Sequence, residues 1–274
     1  MTKVPDKGAS PEWRNASGHD HLLRLEPTGW AWEFLRRNPR YIDTVTRLAP
    51  CRRDRLPHNP RFQVIHTAHD PGVAAAWGLL FAEDPALPYC KAAVFWRPAA
   101  NPGVLPAIAI AASSGEPDAF DVSALKCRVC VLRRGGGGEQ LLLSNGFHSI
   151  QIDLLSGSAL DGSVRLEYQL GGFDTLEAKL MTLHRLATLL QTGVIPNGAR
   201  SSCPRSKRWR LALKALDLAN GGSSQRQIAE TLFGVQHTRS HWRLSSDYLR
   251  DRVRRLIRLG QSLSSGGYIR LLKF

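Results

Sequence analysis

Five arginines fall within nine residues, Arg250, Arg252, Arg254, Arg255 and Arg258, the densest concentration of one chemistry in this 274-residue chain. A guanidinium is planar, permanently charged and able to offer two parallel N–H donors, so its natural partners are carboxylates, phosphates and the edge of guanine. At about 100° per residue, Leu249, Val253, Leu256, Ile257, Gly260 and Leu263 gather on one side of the helix that this stretch predicts. Arg254, Arg255 and Arg258 fall opposite, with Arg250 and Arg252 on the flanks. Such a helix buries one face and presents guanidiniums on the other. A second basic cluster, Arg205, Lys207, Arg208 and Arg210, stands at the start of another helical stretch, where free backbone amides also favour phosphate. Both clusters keep an alternative, that of a solvated helix face or end.

Other residue patterns fall short of catalysis or metal binding. Cys127 and Cys130 have the spacing of zinc and redox sites, but no second Cys or His pair follows. On a strand the two thiols also point to opposite faces. The glycine run at 135–138 lacks a following Lys-Ser/Thr and does not lead into a helix, so it is not a phosphate-cradling loop. His19, His21, His66 and His69 have no Cys or carboxylate partners in a ligand pattern. His241 is followed by Trp242, Arg243 and Leu244, which breaks the His-x-x-Arg of a tyrosine recombinase. The basic half has only five scattered acids, too few for a two-metal nuclease. The chain is not expected to be an enzyme, and no cofactor or metal is implied.

The net charge of +14 is unevenly placed. Residues 175–274 hold 18 Lys and Arg against five Asp and Glu, whereas residues 1–174 hold 19 against 18. A field concentrated in this way attracts a polyanion, and nucleic acid fits better than a membrane surface. Few large apolar groups are left over for a bilayer once the arginine helix has packed its core face. The start of the chain has no apolar signal region, and its longest apolar run, 104–112, is too short to cross a membrane. A cytoplasmic location is expected, in keeping with five irregularly spaced cysteines at 51, 90, 127, 130 and 203.

The elements that must hold these residues predict an α+β chain. Residues 1–12 read as a flexible tail and 13–50 as a small helical unit, with Trp30 and Phe34 four apart and Asn38 capping a helix opened by Pro39. Ile42, Val45 and Leu48 form its expected inner side, and Arg36, Arg37, Arg40 and Arg47 a solvated face. Residues 51–120 read as a linker, polar over 50–70 and carrying one short helix near Trp77. A domain over 121–274 follows, with a small antiparallel sheet of four strands at 125–170 and helices over 173–264. Alternation in HSIQIDLL and SVRLEYQL marks two strands, and the glycine run a hairpin. The helix 173–193 is expected to cover the sheet with Leu176, Leu180, Leu183, Ala187 and Leu190. Within 224–233, Ser224 is the predicted cap, Ile228, Leu232 and Phe233 the apolar stripe, and Gly234 the stop. This reads as the first helix of a helix-turn-helix, with Ala229 where the partner helix crosses. The second would be the arginine helix from Tyr248, capped by Ser245 or Ser246 and joined through an expanded turn anchored by Trp242.

Three stretches carry a family likeness: GWAWEFLRRNPRYIDTVTRL near the start, WGLLFAEDP with VFWRPAA in the middle, and SQRQIAETLFG with SSDYLRDRVRRLIRLGQSLSSGGYIRLL at the end. The chain resembles the FseA-type proteobacterial activators of integrative and conjugative elements, and its C-terminal part also resembles RovC-like oligomeric activators. The resemblance implies a DNA-binding activator of excision and transfer genes, and a small antiactivator protein as a silencing partner. It fixes no catalytic residues and carries over only the C-terminal segment as DNA-contacting. The residues expected at DNA are Gln225, Arg226, Ser246, Tyr248, Arg250, Arg252, Arg254, Arg255 and Arg258, with Arg205, Lys207, Arg208 and Arg210. Of these, Ser246, Tyr248 and Arg250 or Arg252 are expected nearest base edges, and Gln225, Arg226 and the 205–210 cluster at phosphates. Double-stranded promoter DNA, RNA polymerase and a second copy of the chain are the expected partners. An RNA-binding regulator and a DNA-bending accessory protein of a recombination complex are the competing readings.

Overall fold

The computed structural model describes residues 22–56, 59–67, 71–135, 138–196, 205–241 and 248–273. The chain divides into two compact units, one formed by Glu26–Arg200 with Tyr268–Phe274, the other by Ser201–Gly267 with Met1–Leu25. The class is α+β.

The larger unit opens with α1 (Pro27–Leu35) and α2 (Pro39–Thr46). Asn38 Oδ1 accepts from the Arg40 and Tyr41 amides at the start of α2, where a proline at the first position sacrifices no hydrogen bond. Trp30, Trp32, Phe34 and Tyr41 are fully buried. The Trp32 and Tyr41 rings meet edge-on at 5.9 Å, and Tyr41 meets Trp77 at 5.5 Å. On α2 the inner anchor is thus Tyr41, while Ile42, Val45 and Leu48 are only half-buried. The arginines expected on a solvated face divide. Arg47 is exposed and paired with Asp43, but Arg36 and Arg37 are buried, each with a nitrogen 2.7 Å from Glu33 Oε2. A buried carboxylate demands such partners, and helical spacing alone does not show that Glu33 turns inward.

Seven strands form one mixed sheet in the order β1 (Arg52–Leu56), β2 (Asn59–His66), β4 (Arg128–Arg133), β5 (Glu139–Ser144), β6 (Ser149–Ser156), β3 (Leu105–Ala111), β7 (Val164–Tyr168). The expected strands of 125–170 are present, and β4 and β5 make the glycine-linked hairpin with Arg133 opposite Glu139. However, β7 pairs with β3 rather than with β6, and the β2–β4 and β3–β6 pairs are parallel. The reading of 50–70 as a polar connector, within a 51–120 linker, is corrected by β1, β2 and β3. β1 is an edge strand whose charged sequence, RRDRL, protects the edge and hides the strand. The apolar run 104–112 is β3, flanked by strands on both sides, where continuous hydrophobicity replaces alternation. The short helix expected near Trp77 is α3 (Pro71–Ala75), which closes before it.

One face of the sheet presents Val129, Val131, Leu141, Leu143, Ile150 and Ile152 to α4 (Phe173–Thr192), which packs there through Leu183, Leu186 and Leu189. The other face buries Cys130, Leu132 and Leu142 with Ile65, Phe81 and Phe95. Gln151 therefore sits inside rather than on a wet face. Its Oε1 accepts from the Trp96 amide at 3.1 Å, and its Nε2 donates to the Trp96 carbonyl at 2.6 Å. The expected stripe on α4 is corrected in phase: Leu180 and Leu190 remain 48 % exposed, and Ala187 is exposed too. A helix this rich in leucine carries more than one apolar arc, and periodicity cannot choose between them. The chain re-enters this unit at Tyr268, whose ring lies 6.2 Å from that of Trp96 and whose hydroxyl donates to the Trp77 carbonyl at 3.1 Å.

Candidate nucleic-acid interface

The smaller unit is helical: α5 (Ser206–Asn220), α6 (Gln225–Phe233), α7 (Val235–His241) and α8 (Tyr248–Ser264). Over 201–267 the sequence holds thirteen Lys and Arg against four Asp and Glu, a net charge of +9. The core that orients these charges is small: Ala212 and Ala215 of α5, Ile228 and Ala229 of α6, and Leu249, Val253 and Leu256 of α8. Small residues let the helices approach closely. A β-carbon added at Gly260 would stand 2.7 Å from the Ala212 carbonyl oxygen.

Each helix has a sequence-level reason for its limits. Ser224 and Gln227 form a reciprocal capping box that satisfies free amides at the start of α6. Gly234, with φ +94°, ends the helix in a conformation that L side chains rarely adopt. α8 begins at Tyr248, and Leu249, Val253, Leu256, Gly260 and Leu263 are buried as its periodicity requires. The expected caps Ser245 and Ser246, along with Trp242, lie outside the described residues.

The expanded turn expected between Gly234 and Asp247 is corrected, because α7 occupies its first seven residues. Val235, Thr238 and Trp242 stand at i, i+3 and i+7, a helical signal present in the sequence but set apart from α6 by Gly234. The helix that follows α6 after a single residue is therefore α7, not α8.

Tyr248 is 61 % exposed at the start of α8. Arg250 and Arg258 are exposed along it. Arg254 is exposed and lies 3.0 Å from Asp251 Oδ1, and Arg255 Nε donates to the Asp251 carbonyl at 3.3 Å. An exposed pair of this kind contributes about 0.2–1 kcal/mol and exchanges readily for a phosphate. Arg252 is placed differently. Its guanidinium carbon lies 4.3 Å from the centroid of the Phe233 ring, so the side chain staples α8 to the end of α6. On α6, Gln225 and Arg226 are exposed in the first turn, with Arg226 Nε 3.1 Å from Glu230. At the start of α5, Arg205, Lys207 and Arg208 are exposed and Arg210 is half-buried. Ser246 lies outside the described residues. Among the described residues, no group of three or more His, Cys, Asp or Glu could hold a metal ion. Cys130 lies in the core beneath one sheet face, while Cys127 packs against the core beneath the other. Among the described residues no helix is long and apolar enough to cross a membrane.

Two comparisons bear on this arrangement. Residues 172–273 match the family model described as a T6SS transcription factor DNA-binding domain, of the RovC type. Residues 12–82 match the proteobacterial transcriptional regulator-like domain. No curated protein matches the chain significantly. The first match runs across α4 to α8 and contains every candidate contact residue, and the two together support a DNA-binding transcription regulator.

Proposed function

We propose that this chain is a sequence-specific transcriptional activator that binds duplex promoter DNA through its helical unit and switches on excision and transfer genes of a mobile element. The observation that carries the reading is the solvent-facing guanidinium arc of α8, with Arg254, Arg255 and Arg258 outermost, in a stretch, 201–267, of net charge +9. A net positive charge of that density favours a polyphosphate through release of its counterions. Gln225, Arg226, Arg205, Lys207, Arg208 and Arg210 supply further phosphate contacts. Duplex DNA is favoured over single-stranded RNA because both faces of the sheet are covered, which leaves no aromatic stacking platform there among the described residues.

Activation also requires RNA polymerase, and one helical unit spans only a few base pairs, so the active species is a homo-oligomer. A small antiactivator protein that occupies the chain would silence it. The reading is tested by footprinting the full chain on DNA upstream of its neighbouring genes, combined with a promoter–reporter fusion. A discrete protected segment with rising reporter output is expected. Protection without reporter output would reduce the protein to a DNA-bending accessory factor. Preferential binding to RNA of equal length would overturn the reading altogether.

A further inference from the structure

We infer that α7, not α8, reads the base edges, with Gln236 and Arg239 as the specificity-determining residues and the guanidiniums of α8 holding phosphates. This rests on the duplex-DNA reading above and assigns the division of labour within it.

Three observations lead there. The first is connectivity. α6 and α7 are separated by Gly234 alone, its amide bonded to the Glu230 carbonyl at 3.0 Å and its own carbonyl accepting the Thr238 amide at 3.1 Å. These bonds fix how α7 departs from the capped helix before it, whereas α8 follows only after α7 and residues 242–247. A recognition helix is set in register against base pairs by a short connection to the helix before it.

The second is orientation. Thr238 is fully buried, with its hydroxyl donating to the Gly234 carbonyl at 2.8 Å, and so marks the inner side of α7. At about 100° per residue Gln236 falls nearly opposite and Arg239 on the same outer half. Both are exposed, and Val235 beside them is 45 % exposed.

The third is chemistry. A glutamine can bond adenine at two points, an arginine can do the same with guanine, and a small apolar group can meet the thymine methyl. The outer arc of α8 instead repeats one group, arginine, around Asp251, and Arg252 is withdrawn onto Phe233. Repeated guanidiniums suit phosphates, which are alike at every base pair, and the exposed amide on that face, Gln261, follows them near the end of the helix.

The test selects the full-length chain, wild type and variants, against a pool of duplexes randomised over about two helical turns. The wild type should enrich a defined motif. Gln236→Ala should lose the preference at an A·T position and Arg239→Ala at a G·C position. Each should weaken motif binding by about tenfold or more, with binding to unselected duplex within about twofold of wild type. Arg239→Lys keeps the charge but not the fork, and should lose the guanine preference as Arg239→Ala does. Arg258→Ala should weaken binding to every duplex and leave the motif unchanged. An unchanged motif in the α7 variants, or a motif altered only by Tyr248→Ala or Arg250→Ala, overturns this assignment while DNA binding stands. A wild type that binds duplex but enriches nothing overturns it together with sequence specificity.

Discussion

Gly260 of α8 lies directly against Ala212 of α5, with room for no β-carbon: one placed there would meet the Ala212 carbonyl oxygen at 2.7 Å and Leu216 Cβ at 2.9 Å. Gly260→Ala would gain about 1 kcal/mol of helix propensity. That gain is outweighed, because the obstacle is backbone and cannot rotate away, and overpacking of this kind costs about 1–3 kcal/mol. Chemical denaturation of the full chain should show a net loss of stability. A more stable variant would mean that the two helices cross more loosely.

Arg252 stacks on Phe233, and its removal should act on the fold rather than on DNA charge. Arg252→Ala is expected to cost about 0.5–1 kcal/mol of stability while the slope of log affinity against log salt stays at the wild-type value. A slope made shallower by a full unit would place this guanidinium on a phosphate instead.

The outer arc of α8 gives the opposite expectation. Five or so neutralised phosphates imply a wild-type slope of roughly −4 to −5, and Arg254→Ala and Arg258→Ala should each make it shallower by about one unit. Fluorescence anisotropy on one duplex at several salt concentrations measures this. Affinity indifferent to salt would remove the electrostatic basis of the proposed function.

Acid should loosen the larger unit through two buried carboxyls. Burial pushes the Glu26 carboxyl up, but the nearby His148, the Arg185 guanidinium and hydrogen bonds from Ser149 and Thr28 outweigh it and hold it at about 2. His148 Nδ1 lies 3.8 Å from Glu26 Oε2. Glu33 is likewise held at about 2: the charges of Arg36 and Arg37, bonding to Arg36 and the Tyr89 amide overcome its burial. Folded values below the ordinary carboxyl range mean stabilisation present above about pH 4.5 and lost as pH falls towards about 2, up to about 3 kcal/mol for each group. Tryptophan fluorescence melts at descending pH should show Tm falling across that window. Glu26→Gln should lower Tm at neutral pH and flatten the dependence. An unchanged Tm down to pH 3 would show that neither carboxyl is linked to folding.

Parts of this architecture were plain in the residues. Ser224, Gln227 and Gly234 delimit α6 through local hydrogen bonding and backbone freedom, and Leu249 to Leu263 set the inner face of α8 by spacing alone. β1 was hidden because RRDRL carries the charges of an edge, and β2 because the Asn-Pro-Arg that opens it looks the same in a loop. α7 was hidden by the same glycine that defines it, since a residue that stops one helix gives no sign that another begins beyond it.

Charge distribution, the α+β class, helix caps and the two-sided character of α8 are properties of short stretches, and the sequence by itself determined them. Tertiary structure alone decided which leucines of α4 meet the sheet, that Glu33 draws Arg36 and Arg37 inward, and that Arg252 turns to Phe233. The reason is physical. A propensity or a period is summed over neighbours in the chain, whereas the destination of a long side chain depends on partners brought near only when the chain folds.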